Sequence, residues 1–146
     1  MDYPFTVKLS LPAIDSYVAV ARLTVSGIAS RMNFSIEDIE DIKVAVSEAC
    51  TNVVLYAYKD GQDGAVEMNC TIYADQLEIE IKDTGSGFDV NEVKARGLKE
   101  ADEEATNLGL GLAFVESLMD ECEVNTVAGK GTTVRMVKQL TSIGVV

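Results

Sequence analysis

The chain has 146 residues, enough to bury one sizeable core, and its 47% apolar and 25% charged content excludes a disordered or fibrous chain. Twelve Lys and Arg against 24 Asp and Glu leave a net charge of −12, which repels phosphate backbones and anionic lipid surfaces and argues against nucleic-acid and membrane binding. The absence of histidine excludes Ser-His-Asp and Cys-His nucleophile systems, His-ligated metals, and an enzyme that phosphorylates its own histidine.

Along the chain, Phe5, Val7, Leu9 and Leu11 alternate with polar residues, the period of a strand with one buried face, and Pro12 ends it. From Ala13 to about Met32, Ile14, Val18, Ala21, Val25, Ile28 and Ala29 recur at spacings of three and four. Val20, Leu23 and Met32 widen that stripe into a mostly buried helix. Ser35 is the expected N-cap of a second helix, with Asp38 completing an imperfect capping box, and the apolar stripe continues to about Tyr56. A turn at Lys59 to Gly64 precedes two alternating runs, Val66 to Ile72 and Leu77 to Ile81, which predict a β-hairpin about Ala74 to Gln76. The polar stretch Lys94 to Asn107 has no periodic apolar face and reads as a mobile loop. Leu110 to Asp120 is helical in pattern, and Glu121 to Val127 with Thr132 to Leu140 predicts a last hairpin about Ala128 to Gly131. The order β-α-α-β-β-loop-α-β-β predicts an α/β fold with a single domain over 1–146, a two-layer sandwich with three helices on one face of a largely antiparallel five-stranded sheet.

Cys50, Cys70 and Cys122 are odd in number and lack a C-x-x-C pairing, so buried thiols in a reducing compartment are expected. No apolar run approaches the roughly 20 residues of a membrane span, and the opening Met-Asp-Tyr-Pro has no basic export segment, so a cytoplasmic protein is expected.

Three short motifs can carry chemistry. Glu48 and Asn52 are four apart and share one helix face, where an amide oxygen can ligate Mg²⁺ while a carboxylate orients or deprotonates a hydroxyl; alone, the pair also suits a solvated helix edge. Asp83-Thr-Gly-Ser-Gly87 follows a strand, and Asp83 at a pocket floor can accept a hydrogen bond from an exocyclic amine such as that of adenine; it also suits an ordinary turn. Gly109-Leu-Gly111 opens the third helix, where free N–H groups of a helix start suit phosphates. Neither glycine run has the third glycine of a dinucleotide fingerprint, and Gly129-Lys-Gly-Thr-Thr133 is not a P-loop.

Taken in this order, Glu48-x-x-x-Asn52, Asp83-x-Gly85-x-Gly87, Gly109-x-Gly111 and Gly131-Thr132 resemble the N box, the two glycine boxes and the closing Gly-Thr of the Bergerat-fold (GHKL) ATPases. The runs Arg22 to Gly27, Ala45 to Asn52 and Leu118 to Asp120 are similar to those of the anti-sigma-factor serine kinases of the RsbW type. The resemblance implies ATP and Mg²⁺ as cofactors. It implies Asn52 as the Mg²⁺ ligand, Glu48 as the base accepting a serine hydroxyl proton, and Asp83 as the adenine contact, helped through water by Thr132. It further implies Gly85 and Gly87 beside the base, and Gly109 and Gly111 at the phosphates. The stretch from Lys94 to Asn107 matches the family's ATP lid in position, with Lys94, Arg96 and Lys99 as its cations, and Asn107 stands where many relatives have glycine. Arg22 matches a partner-contact position. The implied function is an anti-sigma factor with serine-protein kinase activity, homodimeric, which holds an RNA-polymerase sigma factor or an anti-sigma antagonist and phosphorylates a serine of the antagonist. Two other readings keep the same fold: a sigma-sequestering ATP-binding module without catalysis, and a detached histidine-kinase ATPase domain.

Overall fold

The computed structural model describes residues 2–58, 64–85, 103–127 and 130–141. Five strands, β1 (Phe5–Pro12), β2 (Ala65–Ile72), β3 (Gln76–Lys82), β4 (Glu121–Val127) and β5 (Gly131–Gln139), make one sheet in the order β1-β2-β3-β5-β4, every neighbouring pair antiparallel. Period-two alternation aligns the apolar residues in rows across all five strands. One row is Val7, Cys70, Ile79, Met136 and Cys122; the next is Leu9, Met68, Ile81, Val134 and Val124. The central members are buried and the outer ones only partly so, as expected where a sheet runs out from under its covering layer.

That layer is three helices, α1 (Val18–Ser30), α2 (Ile36–Asn52) and α3 (Glu103–Leu118), with α2 packed against both neighbours. Ala21, Val25 and Ala29 of α1, Ile42, Ala45, Val46 and Ala49 of α2, and Val115 of α3 join the sheet rows in one core. Ser35 caps α2 as its sequence predicts, its hydroxyl accepting the Asp38 N–H at 3.0 Å. Cys50 and Cys70 are buried free thiols; burial pushes both up to about 12, which leaves them unreactive core filling. Among the described residues no helix is long and apolar enough to cross a membrane.

The helical layer departs from its sequence pattern in three places. Ala13 and Ile14 are not in α1: Ala13 N–H donates to Gly64 O and Ile14 N–H to Pro12 O, which ties both to the strand end, and a 3₁₀ turn, Asp15–Tyr17, intervenes. The buried stripe of α1 is therefore narrower than expected, with Ile14, Val20 and Leu23 exposed, Leu23 by 71%. Second, α-helical bonding in α2 stops at Asn52, and the expected continuation toward Tyr56 is a π-helical turn, Val53–Ala57. Third, α3 begins at Glu103, so the last part of the expected loop is helical. Glu103, Glu104 and Ala105 suit a helix start, acids at its positive end and alanine the best helix former. Residues 94–102, the turn residues 59–63, and Ala128 and Gly129 lie outside the described residues.

Lys138 on β5 joins the layers. Its Nζ donates to Leu118 O at the end of α3 (2.6 Å) and sits 3.6 Å from an Asp41 carboxylate oxygen and 3.8 Å from one of Asp38. A cation here meets the negative end of one helix and two acids near the start of another. Lys138→Met keeps the apolar stem but strands the carbonyl and both carboxylates; a loss of about 2 kcal/mol is expected from urea unfolding. An unchanged midpoint would contradict that role.

Candidate functional site

Helix α2 brings Glu48 and Asn52 to the side that faces α3. Asn52 is 4% exposed and its Nδ2 has no hydrogen-bond partner, whereas Glu48 is half-buried. An unpaired buried amide costs about 1–3 kcal/mol, so something must offset it. A Cβ placed on Gly111 of α3 would lie 3.1 Å from Glu48 Oε2 and 3.6 and 3.7 Å from Asn52 Oδ1 and Nδ2. Two motifs some sixty residues apart in sequence thus converge on one space that a side chain at 111 would crowd.

The start of α3 corrects one expectation. Gly109 and Gly111 do not open the helix but lie inside it, since Glu103 is already helical. Acidic residues and Ala105 extended the helix toward the N-terminus past both glycines. What Gly111 does here is admit the backbone of α3 beside Glu48 and Asn52.

The second part of the site hangs from the end of β3. Asp83 is 5% exposed; its Oδ1 accepts the Gly85 N–H at 3.0 Å, its own N–H donates to Thr132 O at 3.0 Å, and its Oδ2 has no partner. Burial pushes the Asp83 carboxyl above its ordinary value, and bonds to the backbone at Gly85 and Thr132 pull it part of the way back. Gly131, at φ 109°, is left-handed, and a Cβ there would collide with Asp83 O. Thr132 is buried, its Oγ1 3.2 Å from that of Thr126. A Cβ on Gly85 would collide with Ala57 O, so the Asp83 turn lies directly against the π-helical turn that follows Asn52. Asp83, Gly85, Gly131 and Thr132 are therefore one cluster, coupled to the end of α2. Gly87, Lys94, Arg96 and Lys99 lie outside the described residues.

Both clusters fit a nucleotide with its metal. Each holds an unpartnered buried polar atom, a donor at Asn52 and an acceptor at Asp83, of the kinds that phosphate oxygens and an exocyclic amine satisfy. Among the described residues no three Cys, Asp or Glu side chains are grouped to hold a metal. A hard cation here would take the Asn52 carbonyl oxygen and draw its other ligands from phosphates and water, as Mg²⁺ commonly does.

Two further contacts bear on the site. Arg22 is exposed on α1 and its Nε donates to Ser47 Oγ at 3.0 Å, beside Glu48. Tyr58 was not singled out by the sequence. Its hydroxyl donates to Ala65 O and accepts from Thr84 N–H, and the only hint was an aromatic residue between the second helix and a glycine-rich turn.

Residues 11–138 match the histidine kinase-like ATPase domain family. The chain is 45% identical over 141 residues to the serine-protein kinase RsbW of Bacillus pumilus (strain SAFR-032), covering 92% of this chain and 85% of that protein. It is 40% identical over 139 residues to the serine-protein kinase RsbW of Bacillus subtilis (strain 168), with the same coverage. The chain belongs to the RsbW family of serine-protein kinases. The RsbW assignment agrees with the fold: a crystal structure of the RsbU and RsbW domains of a Mycobacterium tuberculosis protein superposes with a TM-score of 0.68 at 20% identity, over 93% of this chain and 32% of that one.

The raised carboxyl of Asp83 has a measurable consequence. As pH rises above the ordinary carboxylate range, the unfolded chain loses the Asp83 proton while the folded chain keeps it, so the free protein loses stability with rising pH on this residue's account. Asp83→Asn removes that contribution. The variant is expected to gain on the natural protein in unfolding midpoint as pH rises from the ordinary carboxylate range through the raised value of folded Asp83, where its carboxyl ionises, and to gain no further above it; parallel profiles would contradict the burial of the charge.

Proposed function

We propose that this chain is an ATP-dependent protein serine kinase and anti-sigma factor, a single domain that holds an RNA-polymerase sigma factor or an anti-sigma antagonist and phosphorylates a serine of the antagonist. The observation that carries the reading is the pair of unpartnered buried atoms, Asn52 Nδ2 and Asp83 Oδ2, at two positions where the family's boxes grip one nucleotide. The names of the RsbW relatives supply the class of reaction.

In this reading Asp83 accepts the adenine amine, helped through water by Thr132, and the bare backbone at Gly85, with Gly87 beyond it, lets the base lie close. Asn52 ligates Mg²⁺ together with the phosphates, and the helix carrying Gly109 and Gly111 borders them. Bound Mg²⁺ supplies neutralisation of phosphate charge. Glu48 accepts the proton of the incoming serine hydroxyl as its oxygen attacks the γ-phosphorus and the bond to ADP breaks. Positioning and charge neutralisation supply most of the rate, as in phosphoryl transfer generally. The phosphoserine gains close to two negative charges, which a protein of net charge −12 repels, and the antagonist is released. In this reading Arg22, exposed with its Nε bonded to Ser47 Oγ, makes the partner contact, and the protein is a cytoplasmic homodimer.

The test is transfer of the labelled γ-phosphate of Mg-ATP to a purified candidate anti-sigma antagonist, followed by mapping of the labelled residue. Acid-stable label on a partner serine is expected. Glu48→Ala should bind ATP normally yet transfer at least about 10²-fold more slowly, while Asn52→Ala should lose both. Tight ATP binding without transfer to the partner would instead favour a sequestering module, and full transfer by Glu48→Ala would remove the base.

A further inference from the structure

Tyr58 leaves the π-helical turn in extended conformation, φ −118° and ψ 138°. Its hydroxyl donates to Ala65 O at 2.7 Å and accepts from the N–H groups of Ala65 and Thr84, each at 3.2 Å. A phenol offers one proton and two lone pairs, so its bonding capacity is filled. A Cβ on Gly64 would collide with the ring, so Gly64 closes the backbone over it, and Gly64 O in turn accepts the Ala13 N–H at 2.9 Å. The phenol is thus held by Ala65, Thr84 and the backbone at Gly64.

What it holds is the peptide joining Asp83 to Thr84. The backbone N–H of Thr84 belongs to that peptide, so a bond to it restricts ψ at Asp83 and with it the course of the turn whose Gly85 N–H holds Asp83 Oδ1. Gly85 rests against Ala57 O, one residue before Tyr58, so the Asp83 turn is attached at two adjacent points to the segment that begins at Asn52. Of the two Asp83 oxygens, Oδ1 is occupied by Gly85 N–H within the turn and Oδ2 is left open. The direction of Oδ2 depends on how that turn is held.

We propose that Tyr58 is a positioning residue for base recognition: by gripping the peptide between Asp83 and Thr84, its hydroxyl keeps the open Oδ2 of Asp83 aimed at the exocyclic amine of a purine nucleotide, at a fixed separation from Asn52. This rests on the reading of Asp83 as the adenine contact.

The test compares two ligands by calorimetry on the full chain: ATP, and purine riboside triphosphate, which lacks the exocyclic amine. The natural protein should prefer ATP by about tenfold, the worth of one hydrogen bond to a carboxylate. Tyr58→Phe removes the hydroxyl and keeps the ring. It should weaken ATP binding by most of that tenfold and leave purine riboside triphosphate binding unchanged, so the preference collapses. Equal weakening of both ligands would show a merely structural role and overturn the proposal. No preference in the natural protein would remove the Asp83 reading itself, and the proposal with it. A measurement that does not depend on the variant is hydrogen exchange of the Thr84 amide in the natural protein. Protection is expected, and exchange at the free-peptide rate would overturn the grip.

Discussion

Backbone meeting backbone without a side chain between is the constraint on which this site depends. Gly85 lies against Ala57 O and Gly131 against Asp83 O, and at both places a single methyl group would collide. At Gly131 the left-handed φ of 109° adds a conformational penalty of about 1–2 kcal/mol for any other residue. These contacts draw the ends of β3 and β5 onto the segment that continues α2. Without them the carboxylate of Asp83 and the amide of Asn52 would belong to separate parts of the molecule. Gly111 extends the same device to α3, whose backbone comes beside Glu48 and Asn52 because nothing projects from it there.

The cost of this arrangement is visible in the polar groups. The core is apolar and its sheet rows are continuous, yet among the described residues two buried side-chain polar atoms have no partner within the protein, and leaving such an atom unsatisfied costs about 1–3 kcal/mol. Proteins seldom leave such atoms unmatched, and a ligand that completes them is one explanation. A ligand that satisfies both binds the folded state alone and stabilises it by mass action. In the proposed reading, stability of the free chain is thereby exchanged for affinity at Asn52 and Asp83.

Much of the fold could be read from period and punctuation. The alternation of Val66, Met68 and Cys70 against Leu77, Ile79 and Ile81 put those residues in facing rows, and Ser35 marked its helix start, because both rest on local geometry. The limits of the helices were less legible. Ile14 and Leu23 are apolar and at helical spacing, yet both are exposed, since spacing says which residues share a face but not how wide a face the sheet covers. The start of α3 was missed because the acids that made residues 103–107 look like a loop also favour the first turn of a helix. Within the site, Glu48, Asn52, Asp83 and Gly111 were legible as motifs. Tyr58 and Lys138 were not, because each acts through partners distant in sequence: Thr84 for the one, and Leu118, Asp38 and Asp41 for the other.

That one nucleotide completes both unpartnered atoms is tested most directly by a crystal structure of the chain with Mg²⁺ and a non-hydrolysable ATP analogue. The adenine amine is expected about 3 Å from Asp83 Oδ2, with the phosphates of the same molecule against Asn52. A base bound elsewhere, with Asp83 Oδ2 still unpartnered, would contradict it.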